Sequence, residues 1–373
     1  MERVLLALGR KEPDSVPIDL GGPVSSIHIL AYQELTKFLA MNTSPVIKDR
    51  IQQIVDPDEA LLRRFDVDFR HISLRPPDVW RFREFEDPSG RLAFVDEWGI
   101  KWARGPYYYD MIDHPLRNAT IAQLETFEWP NPADPGRTQG LEKQAKTLRE
   151  TTDFAIVADS IYGGLFETAW WLRGFEKLMI DFHRNVEFVE LLLDRLLELF
   201  KSFYTEFLRA VGDYVQVVQF GDDYGMQTGP ILSPELFRSL FKPRLKELYD
   251  HIHRTTKARI FHHSCGSVRP LIPDLAEAGV DILNPVQPFA VGMEPESLKR
   301  DFGSLICFHG GLDVQRLLPF ETAENVSREA ERVAETLGAG GGYIFASAHN
   351  MQAFTPPENI CAAFDSVRSI KHL

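Results

Sequence analysis

Short apolar runs alternate with longer amphipathic segments along most of this chain. Eight of the runs have the composition of strands, and apolar residues at helical spacing lie between them. Such alternation is typical of parallel βα units. The strand candidates are VPIDL (16–20), DVDFRHISL (66–74), FAIVAD (154–159), YVQVVQF (214–220), ARIFHHS (258–264), DILNPV (281–286), SLICFHG (304–310) and GYIFASA (342–348).

The clearest helical pattern covers residues 186–211, where apolar residues recur every three or four positions. Ser233, which precedes a proline, is predicted to be the N-cap of another helix. Thr355 and Glu358 have the spacing of a capping box at the start of the last helix. Together with the eight strands, these helices predict an α/β fold. We expect a (β/α)8 TIM barrel, formed by a single domain over residues 1–373, with an N-terminal extension.

Residues 75–140 interrupt the alternation. This segment is rich in Pro, Trp and Tyr, and it contains the sequences DEWGIKWARGPYYYD and WPNPADPG. We interpret it as an insertion, built from a hairpin and loops and packed near the mouth of the barrel. It is too short to be predicted as a separate domain.

Composition narrows the range of functions. The chain has 373 residues, of which 44% are hydrophobic and 25% are charged, as in ordinary globular proteins. The formal net charge of -13 argues against a nucleic-acid partner, because phosphate contacts need clustered Lys and Arg. Three cysteines, no recognisable secretory signal and no apolar stretch of membrane-spanning length predict a cytoplasmic protein without a membrane partner.

Polar and reactive side chains lie at the ends of five strand candidates. In a (β/α) barrel the C-terminal ends of the strands converge on one face, and the active site forms there. Their shared position therefore predicts one common site. In chain order these residues are Asp222, Asp223, His262, His263, Cys265, Asn284, His309, Asp313, His349 and Asn350.

The pair His263 and Cys265 is the most distinctive of these features. Residues two apart in a strand point to the same side, so the imidazole and the thiolate can bind one ion. Zinc accepts mixed nitrogen and sulfur ligands, and a catalytic zinc keeps one position open. We predict His349, after the last strand, as the third ligand. A hydrogen-bonded core histidine beside an inert thiol is the alternative, and His262 would replace His263 if the strand register shifted by one residue. We prefer a role for His262 in packing against a helix.

Carboxylates near the same face are candidates for acid catalysis. Asp222 and Asp223 are predicted to supply a fourth metal ligand or a proton, or else to cap a helix. Glu167, in the sequence GGLFETAWW, is the third candidate acid. Its alternative role is that of a first-turn carboxylate favoured by the helix dipole.

Four further residues are predicted to bind the substrate. His309 and Asp313 flank a Gly-Gly turn, where one of them would bind the substrate or orient a ligand, and Asn284 lies within a strand candidate. Trp170 is aromatic enough to line an apolar pocket, although core packing is its alternative role.

Several motifs together resemble the uroporphyrinogen decarboxylase superfamily, which also contains zinc-dependent, corrinoid-linked methyltransferases. The resemblance spans nearly the whole chain and implies a (β/α)8 barrel. The motifs that carry it are VPIDLGGPVSSIH, GDDYGMQTGPILSPELFRSLFKPRLKEL, HHSCGSVRPLIPDLAEAGVDILNPVQP, HGGLD and GYIFASAHNMQAFTPPENI.

The two branches of the superfamily imply different site residues. The methyltransferases bind zinc through His-x-Cys and a distant Cys. His263 and Cys265 match the first two, whereas His349 stands where the distant Cys falls. The decarboxylases carry an arginine-rich segment of the form RQAGRY and an aspartate in a Phe-Ser-Asp context. Here the matching stretches are GGPVSSIH, without Arg or Lys, and Ile72-Ser73-Leu74-Arg75, without Asp.

The resemblance therefore implies a zinc-dependent methyltransferase or demethylase. Its zinc would activate the heteroatom that carries the methyl group, and a corrinoid (cobalamin) supplied by a partner protein would accept the methyl group. Asp222, Asp223 or Glu167 would protonate the departing heteroatom. The aromatic insertion suggests a methoxylated aromatic substrate, and related proteins suggest a homodimer. The alternative is a metal-free decarboxylase or lyase of the same fold that acts on a smaller substrate than uroporphyrinogen.

Overall fold

A curled sheet of seven parallel strands forms the centre of the computed structural model, which describes residues 1–370. The strands in this part of the chain are β1 (Val46–Asp49), β2 (Ile54–Asp56), β3 (Phe69–Ile72), β4 (Phe85–Glu86), β5 (Leu92–Val95), β6 (Lys101–Arg104), β7 (Tyr109–Asp113), β8 (Ala155–Ala158), β9 (Val217–Gly221), β10 (Arg259–His263), β11 (Ile282–Val286), β12 (Cys307–Leu312) and β13 (Tyr343–Ser347).

Helices surround this sheet and cover its outer face. None of those in residues 1–370 is both long enough and apolar enough to cross a bilayer. The α-helices are α1 (Glu2–Leu8), α2 (Ile29–Phe38), α3 (Glu59–Arg64), α4 (Ile121–Glu125), α5 (Leu141–Thr151), α6 (Leu165–Arg173), α7 (Phe175–Arg184), α8 (Val186–Val211), α9 (Pro234–Leu236), α10 (Lys242–Thr255), α11 (Ile272–Ala278), α12 (Pro295–Phe302), α13 (Leu317–Phe320), α14 (Ala323–Gly338) and α15 (Pro357–Ser369).

The seven central strands coincide with seven of the eight predicted strands. Around the sheet they follow the order β3, β8, β9, β10, β11, β12 and β13, so strands that are consecutive in this series are neighbours. All residues of β8 and β13 are buried, as expected when helices cover the outside and side chains fill the inside. The predicted α/β fold of the TIM-barrel type is confirmed, as is the helix predicted over residues 186–211.

The eighth predicted strand, residues 16–20, makes only one bridge. Ile18 pairs with Phe345 in β13, and its carbonyl accepts a hydrogen bond from Asp68 N at 2.9 Å, just before β3. The segment thus lies between the two edge strands of the curled sheet. Its ladder cannot extend, because Pro17 has no N–H and because Ile18 N donates to the Asp68 carboxylate instead, at 2.9 Å.

The barrel interior is apolar at the end opposite the predicted site. Val4 and Leu8 of helix α1 pack against inward-facing residues of the strands and cover this end of the barrel. The N-terminal extension therefore completes the interior core. The strand residues of this cluster are Phe69, Ala155, Val157, Val217, Phe261, Ile282, Cys307 and Ile344.

The insertion contains more regular structure than predicted. Strands β4 to β7 form an antiparallel four-stranded sheet instead of a single hairpin. Tyr108, just before β7, donates a hydrogen bond to Gln352 in the loop after β13. The insertion therefore packs beside the C-terminal ends of the barrel strands, as the sequence predicted.

The two predicted helix starts differ in outcome. Ser233 caps α9 as expected, since its hydroxyl accepts a hydrogen bond from Leu236 N at 3.2 Å. The capping box of Thr355 and Glu358 is wrong. Helix α15 begins one residue later than predicted, with Pro356 as its N-cap, and the Thr355 hydroxyl donates to Gln352 O at 2.8 Å.

Candidate metal centre

The three predicted metal ligands lie together at the C-terminal mouth of the barrel. His263 ends β10, Cys265 follows two residues later, and His349 follows β13. The Sγ atom of Cys265 lies 3.4 Å from Nε2 of His263, and the rings of the two histidines are 5.4 Å apart. One ligand atom from each residue lies within 4.8 Å of the other two. The three residues can therefore approach a single ion.

The chemistry of this donor set fits zinc. Bonds of about 2.0–2.3 Å in a tetrahedral site place ligand atoms roughly 3.3–3.8 Å apart, close to the separation of Sγ and Nε2. Burial and the neighbouring His263 lower the pKa of His349 to about 4, so its ring is neutral and can bind a cation. Burial, Asp223 and Glu167 raise the pKa of the Cys265 thiol, so a cation at this point would displace its proton.

The strand register points His263 rather than His262 at the site. His262 is fully buried on the opposite side of β10, where its Nδ1 atom lies 2.6 Å from the hydroxyl of Tyr249 in α10. Burial and the neighbouring His263 lower the pKa of His262 to about 3. His262 therefore packs against a helix, which is the role that we preferred for it.

Asn284 and His309 hold His263 in place. The Nδ1 atom of His263 donates a hydrogen bond to Asn284 Oδ1, and Asn284 Nδ2 donates to His309 Nδ1 at 2.7 Å. Asn284 is 0% exposed and His309 is 1% exposed. Both side chains are thus enclosed in the barrel and bonded to their neighbours, and their predicted substrate contacts stay predictions.

One known protein family matches most of the chain. A family model described as uroporphyrinogen decarboxylase (URO-D) matches residues 98–370. The chain belongs to the uroporphyrinogen decarboxylase family. This agrees with the resemblance seen in the sequence motifs, and the matched region contains all three candidate metal ligands.

The relatives in this family are distant. Uroporphyrinogen decarboxylase 2, chloroplastic, from Oryza sativa subsp. japonica is 27% identical over 317 residues, which cover 81% of this chain and 74% of that protein. Uroporphyrinogen decarboxylase from Methylobacillus flagellatus is 35% identical over 95 residues, which cover 26% of this chain and 25% of that protein. The chain spans less than half the length of four bacterial uroporphyrinogen decarboxylases that it matches.

A solved structure shows the same fold. A methyltransferase from Methanosarcina mazei superposes with a TM-score of 0.65 over 98% of this chain and 97% of that chain, at 18% sequence identity. At this identity the likeness extends to the fold of the uroporphyrinogen decarboxylase family barrel and not to its chemistry.

The carboxylate of Asp222 makes structural hydrogen bonds within the barrel. Its carboxylate accepts hydrogen bonds from the backbone N–H groups of Phe166 and Glu167, at 3.0 and 2.9 Å, and from the hydroxyl of Tyr224. The first two donors begin helix α6, so Asp222 caps that helix from a neighbouring strand. Burial raises the pKa of Asp222 to about 7, against the effect of these hydrogen bonds. Of the roles weighed for Asp222, the geometry supports the helix cap.

Asp223 and Glu167 face the candidate metal centre instead. The carboxylate of Asp223 accepts a hydrogen bond from Cys265 N at 2.7 Å and lies 3.4 Å from His263 Nε2. Glu167 is partly exposed at the mouth. Burial together with Asp223 and Asp222 raises its pKa well above the usual range. The neutral form of Glu167 is therefore favoured, and a neutral carboxyl group can donate a proton.

An open cleft of about 520 Å³ lies beside Cys265 and His349. Asp313 contributes to its wall, but its carboxylate is committed to the backbone N–H groups of the loop that follows. Trp170 does not line the cleft, because it packs edge-on against Trp171 and Phe175, with ring centroids 5.9 and 5.8 Å away. These contacts agree with the alternative role of Trp170 in core packing. Other residues along the cleft are Gln287, Val314, Gln315, Pro319, Phe320, Ala348, Gln352 and Ala353.

Three buried residues of the barrel interior were not predicted as site residues. Asp19, His71 and Asp159 come from three adjacent positions around the ring, and His71 lies between the two carboxylates, at 2.8 and 2.6 Å. Asp19 also lies 2.9 Å from His309 Nε2, which connects this group to the metal centre. The signal was present in the sequence, since each of these residues lies at or near the end of a strand candidate, like the residues that were predicted.

The assignment of Asp222 as a helix cap predicts a loss of stability rather than of chemistry. We expect Asp222→Ala to lower the free energy of unfolding by about 2 kcal/mol, because two backbone donors and a buried hydroxyl lose their acceptor. Urea unfolding followed by circular dichroism measures this change. The exposed Asp213→Ala is the matched control, with an expected change within about 0.5 kcal/mol. Equal midpoints for the two variants would show that Asp222 does not cap α6.

Proposed function

We propose that this protein is a zinc-dependent methyltransferase, or demethylase, that transfers a methyl group from a small substrate to a corrinoid carried by a separate protein. The observation that supports the proposal is the convergence of His263, Cys265 and His349 beside an open cleft. Two nitrogen donors and one thiolate leave a fourth position free on a tetrahedral zinc, as a catalytic site requires.

The residues around this centre have separable roles. Zinc would supply Lewis-acid activation of the heteroatom that bears the methyl group. Asp223 fixes the backbone of Cys265 through its hydrogen bond at 2.7 Å and so positions the thiolate. The raised pKa of Glu167 favours its neutral form, which carries a proton that the departing heteroatom can accept. Asn284 orients the His263 ring from behind.

The walls of the cleft indicate the class of substrate. Val314, Pro319, Phe320 and Ala348 provide apolar surface, and the side chain of Phe320 is 81% exposed. Among the described residues that line the cleft, none is Lys or Arg. This wall suits a small methylated aromatic molecule, such as a methoxybenzoate, better than a substrate with many carboxylates.

The names of the curated relatives favour a second candidate, a carboxy-lyase of the same fold. In that case the histidines and carboxylates at the mouth of the barrel would act on a substrate without a metal. The lack of cationic residues along the cleft argues against uroporphyrinogen itself and favours a smaller carboxylate substrate.

Removal of metal from the full chain tests the proposal. We expect about one zinc per chain as purified, and we expect a chelator to abolish the demethylation of a methoxybenzoate in the presence of free cob(I)alamin. Addition of zinc should restore the reaction, whereas magnesium should not, since it prefers oxygen ligands. Plasma mass spectrometry measures the zinc content, and the visible spectrum of the cobalamin measures methyl transfer. Methylamines and methyl thioethers are tested alongside the ether.

The same preparations separate the two candidates. A protein that binds no zinc, even when incubated with it, cannot perform the proposed reaction. Release of CO₂ from a carboxylate substrate at the same rate with and without the chelator would favour the carboxy-lyase.

A further inference from the structure

We infer that Asp19, acting through His309 and Asn284, fixes the tautomer of His263 and thereby keeps its Nε2 atom free to bind a cation. Asp19 is thus a positioning residue for a metal ligand that it does not touch. The inference rests on the proposed function for its purpose, but its geometric content is independent of zinc. The inference depends on the direction of each hydrogen bond in a buried hydrogen-bond chain that runs from Asp19 to His263.

The carboxylate of Asp19 sets the direction of the hydrogen bonds. An ionised carboxylate can only accept hydrogen bonds, so the Nε2 atom of His309, 2.9 Å from Asp19 Oδ2, must carry a proton. The Nδ1 atom of His309 then accepts from the side-chain amide of Asn284. Asn284 must present its amide nitrogen to that atom, at 2.7 Å, and this turns its carbonyl oxygen towards His263.

The position of the proton on His263 follows from the orientation of Asn284. Asn284 Oδ1 accepts only from a protonated His263 Nδ1, so the remaining ring nitrogen, Nε2, keeps its lone pair. That atom faces Cys265 Sγ at 3.4 Å. Reversing any one of these bonds would reverse the rest and would place a proton on the nitrogen that has to bind the metal.

The local surroundings of His263 do not account for this tautomer. Asp223 Oδ1 lies 3.4 Å from His263 Nε2, and a carboxylate at that position favours a proton on Nε2. The chain from Asp19 acts in the opposite direction, and its bonds are shorter. The direction of the hydrogen bonds therefore matters most while no cation is bound.

A second set of contacts keeps Asp19 ionised. Burial opposes charge on His71, but the carboxylates of Asp19 and Asp159 outweigh burial and raise the pKa of His71 to about 9. Contact with the His71 imidazolium and with His309 holds the pKa of Asp19 well below its usual range, although burial alone would raise it. On its other side Asp159 lies 2.8 Å from Lys48 Nζ, so positive charge balances both carboxylates.

Enclosure prevents water from replacing these bonds. The exposed fractions are 5% for Asp19, 1% for His309 and 0% for Asn284. Ser25 donates to Asp19 Oδ2 at 2.9 Å, which adds a further donor to the same oxygen. In a buried site, two donors or two acceptors that face each other cost free energy. The hydrogen bonds from Asp19 to His263 therefore either all reverse together or all keep their direction.

The first test is the tautomer of His263 in the wild-type protein without metal. In full-length protein labelled with ¹⁵N-histidine, long-range nitrogen–proton spectra show which ring nitrogen is unprotonated. The His263 signals are identified by their loss in His263→Gln. We expect the unprotonated nitrogen to couple to both carbon-bound ring protons, the pattern of Nε2. The pattern of an unprotonated Nδ1 would overturn the inference without any variant of Asp19.

The second test moves the negative charge from position 19 to position 284 of the hydrogen-bond chain. Asp19→Asn gives the end of the chain an amide donor, so we expect more of the Nε2-protonated form and roughly tenfold or more weaker zinc binding. The double variant Asp19→Asn/Asn284→Asp places an acceptor directly against His263 Nδ1. We expect it to recover most of the lost affinity and the original tautomer.

The control and the outcomes keep this inference separate from the proposed function. Asp274→Asn is the same substitution at a carboxylate that is 6% exposed and paired with Arg238 and Lys242 outside the chain, and it should leave zinc affinity unchanged. Unchanged affinity in Asp19→Asn, or no recovery in the double variant, would contradict the inference. If no zinc binds to any form while the tautomer still follows Asp19, the inference stands and the zinc-dependent function does not.

Discussion

Replacement of Cys265 by serine is expected to remove zinc from the protein and to abolish zinc-dependent methyl transfer. The thiolate is the one anionic ligand of the proposed set, and a serine hydroxyl stays protonated and neutral at this point. We expect zinc affinity to fall by more than about 100-fold, beyond what the loss of a supporting hydrogen bond costs. Competition with a chromogenic chelator measures the affinity, and demethylation of a methoxybenzoate measures activity.

The substitution should leave the fold unchanged. Cys265 lies at the edge of an open cleft, and serine is nearly isosteric with it. The matched control is Cys361→Ser in helix α15, where the thiol is 9% exposed and packs in the core. We expect this control to keep its zinc, although it loses some stability. Equal zinc affinity in the two variants would show that Cys265 is not a ligand.

The sequence predicted that the three candidate metal ligands come together because their signal needs little tertiary information. A histidine and a cysteine two positions apart at a strand end face the same way wherever the strand lies. The parallel barrel then brings His349 to the same face from the last strand. What the pattern could not settle was the register of β10, since His262 and His263 are adjacent and the choice between them depends on which one packs against Tyr249.

The paired aspartates after β9 show a similar limit. Asp222 and Asp223 are adjacent and chemically alike, so only the three-dimensional path of the turn decides their roles. Asp222 turns back to the start of α6, whereas Asp223 turns to the backbone of Cys265. The capping contact links residues that are distant in sequence, and no local capping pattern indicates it.

The insertion was underestimated although its turns are visible in the sequence. Asp87 accepts hydrogen bonds from Ser89 N and Arg91 N, and Asp96 accepts them from Trp98 N and Ile100 N. Aspartates that bind the backbone two and four residues ahead, with a glycine in each turn, are typical of hairpin connections. Recognition of these two turns would have predicted three strands of the antiparallel sheet.

The buried chain through Asp19 was missed for a different reason. The rule that polar residues at strand ends form the site also applies to Asp19 and His71. In the sequence, however, these two residues stand in the first two strand candidates, and Pro17 limits the pairing of the first to one bridge. Proline and charged residues weaken the strand pattern in these two segments, which are also the segments that supply buried charged groups to the barrel.

Replacement of Glu167 by glutamine is expected to slow catalysis while zinc binding is kept. The amide is nearly isosteric with the neutral acid but has no proton to give to a leaving group. General acids of this kind contribute typically about 10²- to 10⁴-fold to a rate, so we expect kcat for a methyl ether to fall by at least about 100-fold. The zinc content of the variant should equal that of the wild type.

The dependence on the leaving group distinguishes acid catalysis from a role in shaping the site. Methyl transfer from a methoxybenzoate releases an aryloxide, which takes up a proton to give the phenol. Transfer from a quaternary methylammonium releases a neutral amine, which needs no proton. We therefore expect Glu167→Gln to impair transfer from a methoxybenzoate much more than transfer from a quaternary ammonium donor. Asp223→Asn is the matched comparison: Asp223 holds the backbone of Cys265, so this change should weaken zinc binding and slow both donors together. An equal loss with both donors in Glu167→Gln would assign Glu167 a structural role and leave the proton donor to be found elsewhere at the mouth of the barrel.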